Sequence, residues 1–501
     1  MAPAAGRPTR ITTDRGGVTD GRLDLRARMA WLARTVRCAS SDPGNLRQVD
    51  FAGRLTERGV NASNSRISMW ENGHQAMSLE VMGGYERVLG LTPALLQATA
   101  TALSRGVRQR GRLPIAEPRG EISQIEGQRR LDAVYDAAMR GTCVGSDWFA
   151  LAAYWNRVPT AMTPVAIVRQ LMLVLVDEVA RAVGPAYTTR YQALGMVIDH
   201  PVYSPIAVET IHDYAVETGV DSVMDVLGAL GECQPSIAVT RELISLARTG
   251  TGRVRAGAVY ALETSMLLGL MPQEAHPHVQ RLTQMLRAGS AQDLRLAERL
   301  VRQLIELGVV EQPSRAPRPA LDRRTTSTVV AQYASRAREA TGLPQDPVLV
   351  RLLEEAHGHD HHQYRHHVAL LLMASPYRPA LADHALSVAL AGPTGHEAYC
   401  AAWLLTYLAH PQQDAALLAA VANGPDALRP SLLMARTHAG PIPPEVDLVA
   451  LQPDTSSEGP PVYAAGMSQH PLLATWAEQT KDPSLRERAQ WWQRHGGAVR
   501  D

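Results

Sequence analysis

One short stretch of the chain concentrates side chains that make directional hydrogen bonds. From Ser63 to Gly73 it reads Ser-Asn-Ser-Arg-Ile-Ser-Met-Trp-Glu-Asn-Gly. Amide, hydroxyl and guanidinium groups can bind the edges of nucleic-acid bases. Ile67 and Trp70 lie three residues apart, which suits a single buried helix face. The stretch therefore predicts a helix that is anchored on one side and presents polar groups on the other.

Residue patterns typical of enzymes do not occur in the sequence. Ser, His and Asp are scattered through predicted helices rather than grouped, and the pair Gly83-Gly84 lies inside a helix instead of a phosphate-binding loop. The four cysteines are widely spaced and predict reduced thiols in a cytosol. They are Cys38, Cys143, Cys233 and Cys400. We expect a protein that is not an enzyme and holds no cofactor.

A histidine-rich stretch near residue 360 is a second place where chemistry could occur. Imidazole-rich tracts bind Zn²⁺, Ni²⁺ or Cu²⁺, and two His four residues apart share a helix face. Neither Cys nor a fixed ligand spacing accompanies them, so a polar turn between helices is the favoured interpretation and a metal site the alternative. The candidate ligands would be His357, His359, His362 and His366.

Five predicted helices surround the stretch that begins at Ser63. Apolar spacing, capping residues and turn clusters set their limits. The first runs from Leu23 to Cys38, a turn covers Ser40 to Asn45, the second runs from Arg47 to Arg58, Ser63 caps the third, Ser78 begins the fourth and Thr92-Pro93 opens the fifth. Gly59 is expected to end the second helix. Glu71 is expected to pair with an Arg inside this domain or to cap backbone amides.

The order and spacing of these residues resemble the Cro/C1-type (XRE-family) helix-turn-helix. The resemblance rests on Gln48-x-x-Phe51-Ala52-x-x-Leu55, Ile67-Ser68-x-Trp70-Glu71-x-Gly73, Ser78-Leu79 and Leu89-Gly90-Leu91-Thr92-Pro93-x-Leu95-Leu96. It implies a five-helix bundle with a recognition helix from Ser63 to Asn72, which usually binds a palindromic DNA site as a two-fold dimer. Met69 stands where the family commonly has a basic residue.

The resemblance also assigns roles to individual side chains. It places Asn64, Ser65 and Arg66 nearest the base edges, and implies that Gln48 grips a phosphate or supports the recognition helix. The full set of expected DNA-binding residues is Arg47, Gln48, Ser63, Asn64, Ser65, Arg66, Ser68, Met69 and Asn72.

Charge is spread unevenly along the 501 residues, although the net charge is only +1. Residues 1–120 contain 18 Arg and 10 acidic residues, so they carry about +8, and the rest carries about −7. This asymmetry predicts that the N-terminal 120 residues bind a polyanion and that the remainder of the chain has an ordinary charge balance. The beginning of the sequence has no apolar signal-peptide segment, and the most apolar window, 165–183, contains four charged residues. We expect a cytoplasmic protein that does not span a membrane.

Helical periodicity continues through the remainder of the chain, and almost nothing in it is typical of strands. Val254-Arg255-x-x-Ala258-x-x-Ala261-Leu262 is partly repeated 40 residues later by Leu294-Arg295-x-Ala297-x-x-Leu300, a period within the range of helical solenoids. The predicted fold is all-α, with the helix-turn-helix domain followed by an α-solenoid-like (HEAT/TPR-like) array. The predicted boundaries are a disordered basic arm at 1–20, the helix-turn-helix domain at 21–104, a linker at 105–128, helical repeats at 129–310, a linker at 311–327 and further repeats at 328–501.

These features favour a sequence-specific regulator of transcription that binds double-stranded DNA, with the C-terminal region serving for dimerisation, a protein partner or a small-molecule effector. The competing hypothesis is an interaction scaffold or antitoxin-like binder, in which the helix-turn-helix only localises or autoregulates the protein.

Overall fold

The computed structural model describes residues 24–105, 124–158, 163–310, 323–344, 346–358, 362–391, 395–451 and 460–501. Within these ranges the chain is built from α-helices joined by short turns, and Ala182 forms an isolated β-bridge with Val499. No helix in the described ranges is both long and apolar enough to cross a membrane. The all-α prediction is confirmed.

The helices follow one another closely along the chain. In order they are α1 Leu25–Cys38, α2 Pro43–Leu46, α3 Gln48–Glu57, α4 Asn64–Glu71, α5 Leu79–Leu89, α6 Leu95–Arg105, α7 Gln124–Met139, α8 Gly145–Arg157, α9 Val165–Arg181, α10 Gly184–Ile198, α11 Ser204–Ala215, α12 Met224–Gly231, α13 Ile237–Thr249, α14 Gly252–Leu267, α15 His276–Arg287, α16 Ala291–Glu306, α17 Arg323–Thr341, α18 Pro347–Gly358, α19 His362–Ala374, α20 Arg378–Leu390, α21 His396–Leu408, α22 Asp414–Asn423, α23 Arg429–Ala439, α24 Pro460–Ser468, α25 Leu472–Gln479 and α26 Pro483–His495.

The chain forms two compact units, and both are discontinuous in sequence. One contains Met1–Gly120 with Ala320–Ala439, and the other contains Glu121–Pro319 with Gly440–Asp501. The sequence boundaries treat these segments as consecutive and therefore do not anticipate this grouping. Apolar faces of the early helices are buried by helices from hundreds of residues away, which local periodicity does not encode.

Three predicted non-helical segments fall largely outside the described residues. The basic arm at 1–20 lies entirely outside them. The predicted linkers 105–128 and 311–327 overlap helices at their edges, because α6 extends to Arg105, α7 begins at Gln124 and α17 begins at Arg323.

Local capping sets the ends of the first helices. The side chains of Asp24, Ser63 and Ser78 accept hydrogen bonds from backbone N–H groups in the first turns of α1, α4 and α5. Gly59 adopts a left-handed conformation just past α3, with φ of +83°, which glycine tolerates because it has no Cβ. The caps at Ser63 and Ser78 and the stop at Gly59 confirm the sequence predictions.

Two local predictions are wrong. The expected turn at Ser40–Asn45 contains the start of the short helix α2, which Asp42 caps. Thr92-Pro93 does not open a helix; α6 begins at Leu95. The carboxylate of Glu86, on the preceding helix α5, accepts hydrogen bonds from the backbone N–H groups of Ala94 and Gln97. A side chain 8 residues upstream of Ala94 therefore satisfies the N-terminus of α6, which replaces the expected threonine cap.

In the first unit, α1 packs against both the early and the late helices. The core of α1–α6 contains fully buried Leu32, Phe51 and Tyr85, with the rings of Phe51 and Tyr85 in an edge-on contact at 4.8 Å. Toward the late helices, Trp31 donates from Nε1 to the carboxylate of Asp346 at 2.5 Å. That carboxylate also caps α18 by accepting from the N–H of Val348. The N-terminal helices and α18 thus share one core.

In the second unit, helices pack on their neighbours along the chain. Helix α14 contacts α12, α13 and α16, and α15 contacts α13 and α16. The similar patterns in α14 and α16 lie side by side, tied by ion pairs from Arg255 to Asp293 and from Arg299 to Glu263. The last helix, α26, returns to this unit, where Arg488 and Trp492 both donate to Asp221.

Candidate nucleic-acid interface

Helix α4 spans eight residues and is held at both ends by local hydrogen bonds. Ser63 Oγ accepts from the N–H of Arg66 at 3.2 Å, which satisfies a donor that the helix geometry leaves unpaired. At the other end Asn72 is the C-cap, and Gly73 follows with φ of +68°. The predicted recognition helix, Ser63 to Asn72, therefore corresponds to α4 together with its two capping residues.

The inner side of α4 is buried. Ile67 is fully buried, Trp70 is 4% exposed and Glu71 is 1% exposed. The two apolar side chains bind the helix to the small core, as their spacing predicts. Glu71 is a charged residue on the buried side, so its carboxylate needs compensating partners.

The side chains of three residues donate hydrogen bonds to the Glu71 carboxylate. Arg37 donates from Nε to Oε1 at 2.6 Å and from Nη2 to Oε2 at 2.8 Å. Gln48 donates to Oε2 at 3.1 Å, and the Tyr85 hydroxyl donates to Oε1 at 3.0 Å. Burial disfavours the charged form of Arg37, but the hydrogen bonds and the charge of Glu71 outweigh it and raise the pKa of Arg37. The predicted pairing of Glu71 with an internal Arg is confirmed, and Arg37 is that partner.

The outer side of α4 is polar and accessible. Asn64, Ser65 and Met69 are exposed, whereas Arg66, Ser68 and Asn72 are half-buried. The side chain of Met69 is the single thioether among them, and the residue is 41% exposed. All six of these residues were predicted to face outward.

Two of the half-buried side chains are already oriented by hydrogen bonds. Arg66 donates from Nη1 to the carbonyl oxygen of Asn61 at 2.7 Å. Asn72 donates from Nδ2 to the carbonyl of Ser68 at 2.7 Å and to its hydroxyl at 3.2 Å. The Arg66 guanidinium therefore lies against the turn that precedes α4. The spacing of residues in the sequence does not predict this placement.

The start of α3 lies beside this surface. Arg47 is its N-cap residue, makes no side-chain capping hydrogen bond and has a side chain 75% exposed, 3.5 Å from the carboxylate of Asp50. The resemblance implies that Gln48 either binds a phosphate or supports the recognition helix. Its hydrogen bond to Glu71, a residue of α4, matches the supporting role. Sequence reasoning did not single out Arg37, because its partner lies 34 residues away.

The expected polar turn of the histidine-rich stretch falls between α18 and α19, at residues 359–361, which lie outside the described residues. His357 is buried and donates from Nδ1 to the Leu353 carbonyl oxygen at 2.9 Å, and burial lowers its pKa to about 4. His366 is also buried, with Nδ1 3.1 Å from the Tyr407 hydroxyl. His362 is exposed and contacts the Trp403 ring edge-on, and His359 lies outside the described residues. Among the described residues, no group of three or more His, Cys, Asp or Glu is arranged to hold a metal ion.

Comparisons of the chain with protein-family models, with curated proteins and with solved structures found no significant match.

Proposed function

We propose that this chain is a sequence-specific DNA-binding regulator of transcription, in which α3 and α4 act as a Cro/C1-type helix-turn-helix. The observation that carries the proposal is the division of α4 into two faces. Ile67, Trp70 and Glu71 are buried on one side, while Asn64, Ser65 and Met69 are exposed on the other. Because its buried side chains fix the position of α4 in the domain, the polar side chains on its other side can contact DNA bases in one defined register.

The dimensions and chemistry of α4 suit a major groove. Eight residues of helix are about 12 Å long, and the groove of B-DNA is about 12 Å wide. The Asn64 amide can form two hydrogen bonds to adenine, and the Arg66 guanidinium can form two to guanine. Met69 offers an apolar surface for a thymine methyl group. Ser65 and Ser68 hydroxyls can bind either kind of base edge.

Affinity for the DNA backbone would come from the basic N-terminal part of the chain. Residues 1–120 carry about +8, and neutralising phosphates with Arg releases counterions. Arg47, at the N-terminus of α3, combines an exposed guanidinium with the positive end of a helix dipole. The remaining helices, for which we propose a solenoid-like arrangement, would supply homodimerisation or bind a protein or small-molecule effector.

The experiment is a binding selection with the intact chain and fragments of its own chromosome, followed by titration of a selected site at several salt concentrations. Arg66→Ala should relax preference at one base position, with about 1–3 kcal/mol less discrimination. Arg47→Ala should weaken binding evenly across sequences and reduce its salt dependence. Arg338→Ala, an exposed arginine on α17 of the same unit, is the matched control and should change neither. No salt-sensitive association with any fragment would refute the proposal.

One observation favours the alternative function, an interaction scaffold or antitoxin-like binder. Arg28 and Trp31 of α1 are buried, with partners on and just before α18, so the DNA-binding candidate is part of a larger helical unit. The two functions can be separated in cells that express the intact chain or the double variant Asn64→Ala/Arg66→Ala. A scaffold would keep its copurifying protein and its phenotype in the variant, whereas a regulator would lose its transcriptional effect.

A further inference from the structure

An open groove lies in the second unit, far along the sequence from α4. It runs between α11 and α13, with the end of α10 and the turn after α12 at its base. We call it the α11–α13 groove. Its volume is about 720 Å³, which falls within the range of about 300–1,000 Å³ typical of small-molecule sites.

The base of the groove is apolar and held firmly. Ile198, Cys233 and Val239 line it and are at most 6% exposed. Pro201 and Pro235, in the two turns that meet there, restrict the backbone because their rings fix φ. The base of the groove therefore offers apolar surface between two turns whose backbone is restricted by proline.

The walls of the groove are acidic. Glu209 on α11, Glu242 on α13 and Asp199, which follows α10, are among the residues that line it. None of the residues that line the groove is Arg or Lys. His200 adds no positive charge at neutral pH, because burial lowers its pKa. Arg169, which is not among the lining residues, offsets the charge of Glu209. The remaining carboxylates give the groove its negative potential, which apolar walls of low dielectric constant strengthen.

Neighbouring groups orient these carboxylates. Glu242 Oε1 lies 2.6 Å from Nδ1 of His212, and the side chain of Glu242 is 26% exposed. Glu209 pairs with Arg169 at 2.8 Å, with its side chain 52% exposed. Asp199 accepts from the backbone N–H of Gln234 at 2.7 Å. Both glutamates remain accessible to solvent and hence to a soluble ligand.

From the combination of an apolar base and a carboxylate on each of the two flanking helices, we propose that the α11–α13 groove binds a small organic cation with an apolar body, such as an alkylammonium. The ammonium group lies between Glu209 and Glu242, and the hydrocarbon part covers Ile198 and Val239. The proposal is independent of DNA binding, since it concerns only residues of the second unit. It gives the body of the protein a ligand of defined chemical class.

The test is isothermal titration of the full-length chain at pH 7 with butylamine, hexylamine, hexanol and hexanoate. Each methylene buried in an apolar site strengthens binding about fourfold, so hexylamine should bind about tenfold or more tightly than butylamine. Hexanol and hexanoate should bind at least about tenfold more weakly than hexylamine, because they lack the positive charge.

Three variants separate the groove from general charge effects. Glu242→Gln should weaken hexylamine binding about fivefold or more, and Ala238→Trp, which fills the groove from an exposed position that lines it, should abolish it. Glu298→Gln removes an exposed carboxylate on α16 of the same unit and should leave binding unchanged. Circular dichroism of each variant establishes that it is folded.

The proposal is overturned if hexanoate binds as tightly as hexylamine, if affinity does not rise with chain length, or if Ala238→Trp binds like the parent chain. It is also overturned if no amine binds at about 10 mM. None of these results depends on whether the chain binds DNA, so failure of this proposal and failure of the proposed function are distinguishable.

Discussion

Arg28 and Glu355 are 327 residues apart in sequence, yet Nη2 of Arg28 donates to Oε1 of Glu355 at 2.6 Å. Both side chains are almost completely buried, at 0% and 4% exposure. The same helix, α1, carries Arg37, which binds Glu71 of α4. One helix of 14 residues thus holds two buried ion pairs, one toward α18 and one toward the candidate DNA-binding helix.

The Arg28–Glu355 pair predicts a specific pattern of stabilities. Glu355→Ala should lower the free energy of unfolding by about 3–5 kcal/mol, because it leaves Arg28 buried without its carboxylate. The double variant Arg28→Met/Glu355→Leu should recover most of that loss, since neither charge is then buried. Urea unfolding followed by circular dichroism measures both. A double variant no more stable than Glu355→Ala would contradict this account.

A graded effect is expected around Glu71. Tyr85→Phe removes one of the hydrogen bonds to the carboxylate and should cost about 1.5–3 kcal/mol, as usual for a bond to a charged group. Glu71→Ala should cost about 3–5 kcal/mol, because Arg37 then lacks its buried partner. Thermal unfolding of the two variants gives the order. If Tyr85→Phe were the more damaging, the Tyr85 hydroxyl would have a role other than supporting Glu71.

The N-cap of α4 can be tested with a matched pair of serines. Ser63→Ala should destabilise the first unit by about 0.5–2 kcal/mol, because the N–H of Arg66 loses its acceptor. Ser65→Ala, an exposed position in the first turn of the same helix, should change stability by less than about 0.5 kcal/mol. Ser63→Asp should retain the cap and add a favourable interaction with the helix dipole. Chemical denaturation resolves the three, and equal losses at positions 63 and 65 would contradict the assignment.

The end of α26 should make the stability of the second unit depend on pH. His495 lies 2.5 Å from Asp177 and 3.0 Å from Glu217. Burial disfavours charge on His495, but hydrogen bonds with the two carboxylates outweigh it and raise the pKa of His495 above its ordinary 6.5. Burial likewise opposes ionisation of Asp177 and Glu217, yet their hydrogen bonds to His495 contribute to pKa values below the ordinary 3.8 and 4.5.

The sign of each contribution follows from linkage. The His495 contribution is complete below pH 6.5 and is lost as pH rises through its raised pKa. The carboxylate contributions are complete above pH 4.5 and are lost as pH falls through the lowered values. The contacts are therefore strongest between about pH 4.5 and 6.5. Melting temperatures of the parent chain and of His495→Gln from pH 4 to 9 provide the check, and the variant should lose less stability on the alkaline side. Parallel curves would contradict the prediction.

Local sequence was sufficient where a structural feature depends on near neighbours. Ser63 caps a helix because its hydroxyl lies within reach of an N–H three residues on. Ile67 and Trp70 are buried because helical spacing places them on one face. Thr92-Pro93 predicts a helix start that the structure does not have, because Glu86, across a turn, accepts hydrogen bonds from the backbone N–H groups at the start of α6. The polar composition of the histidine-rich stretch predicts exposure to solvent, whereas His357 and His366 are buried.

By itself the sequence determined an all-α protein, the helix that presents Asn64, Ser65 and Met69, and the need for a buried partner for Glu71. Tertiary structure alone decided that Arg37 is that partner, that Glu355 pairs with Arg28, and that Glu209 and Glu242 line the same groove. The physical reason is the distance along the sequence over which the interactions act. Helix periodicity and caps arise within a few residues, whereas the pairing of buried charges and the shape of a groove depend on which distant helices pack together.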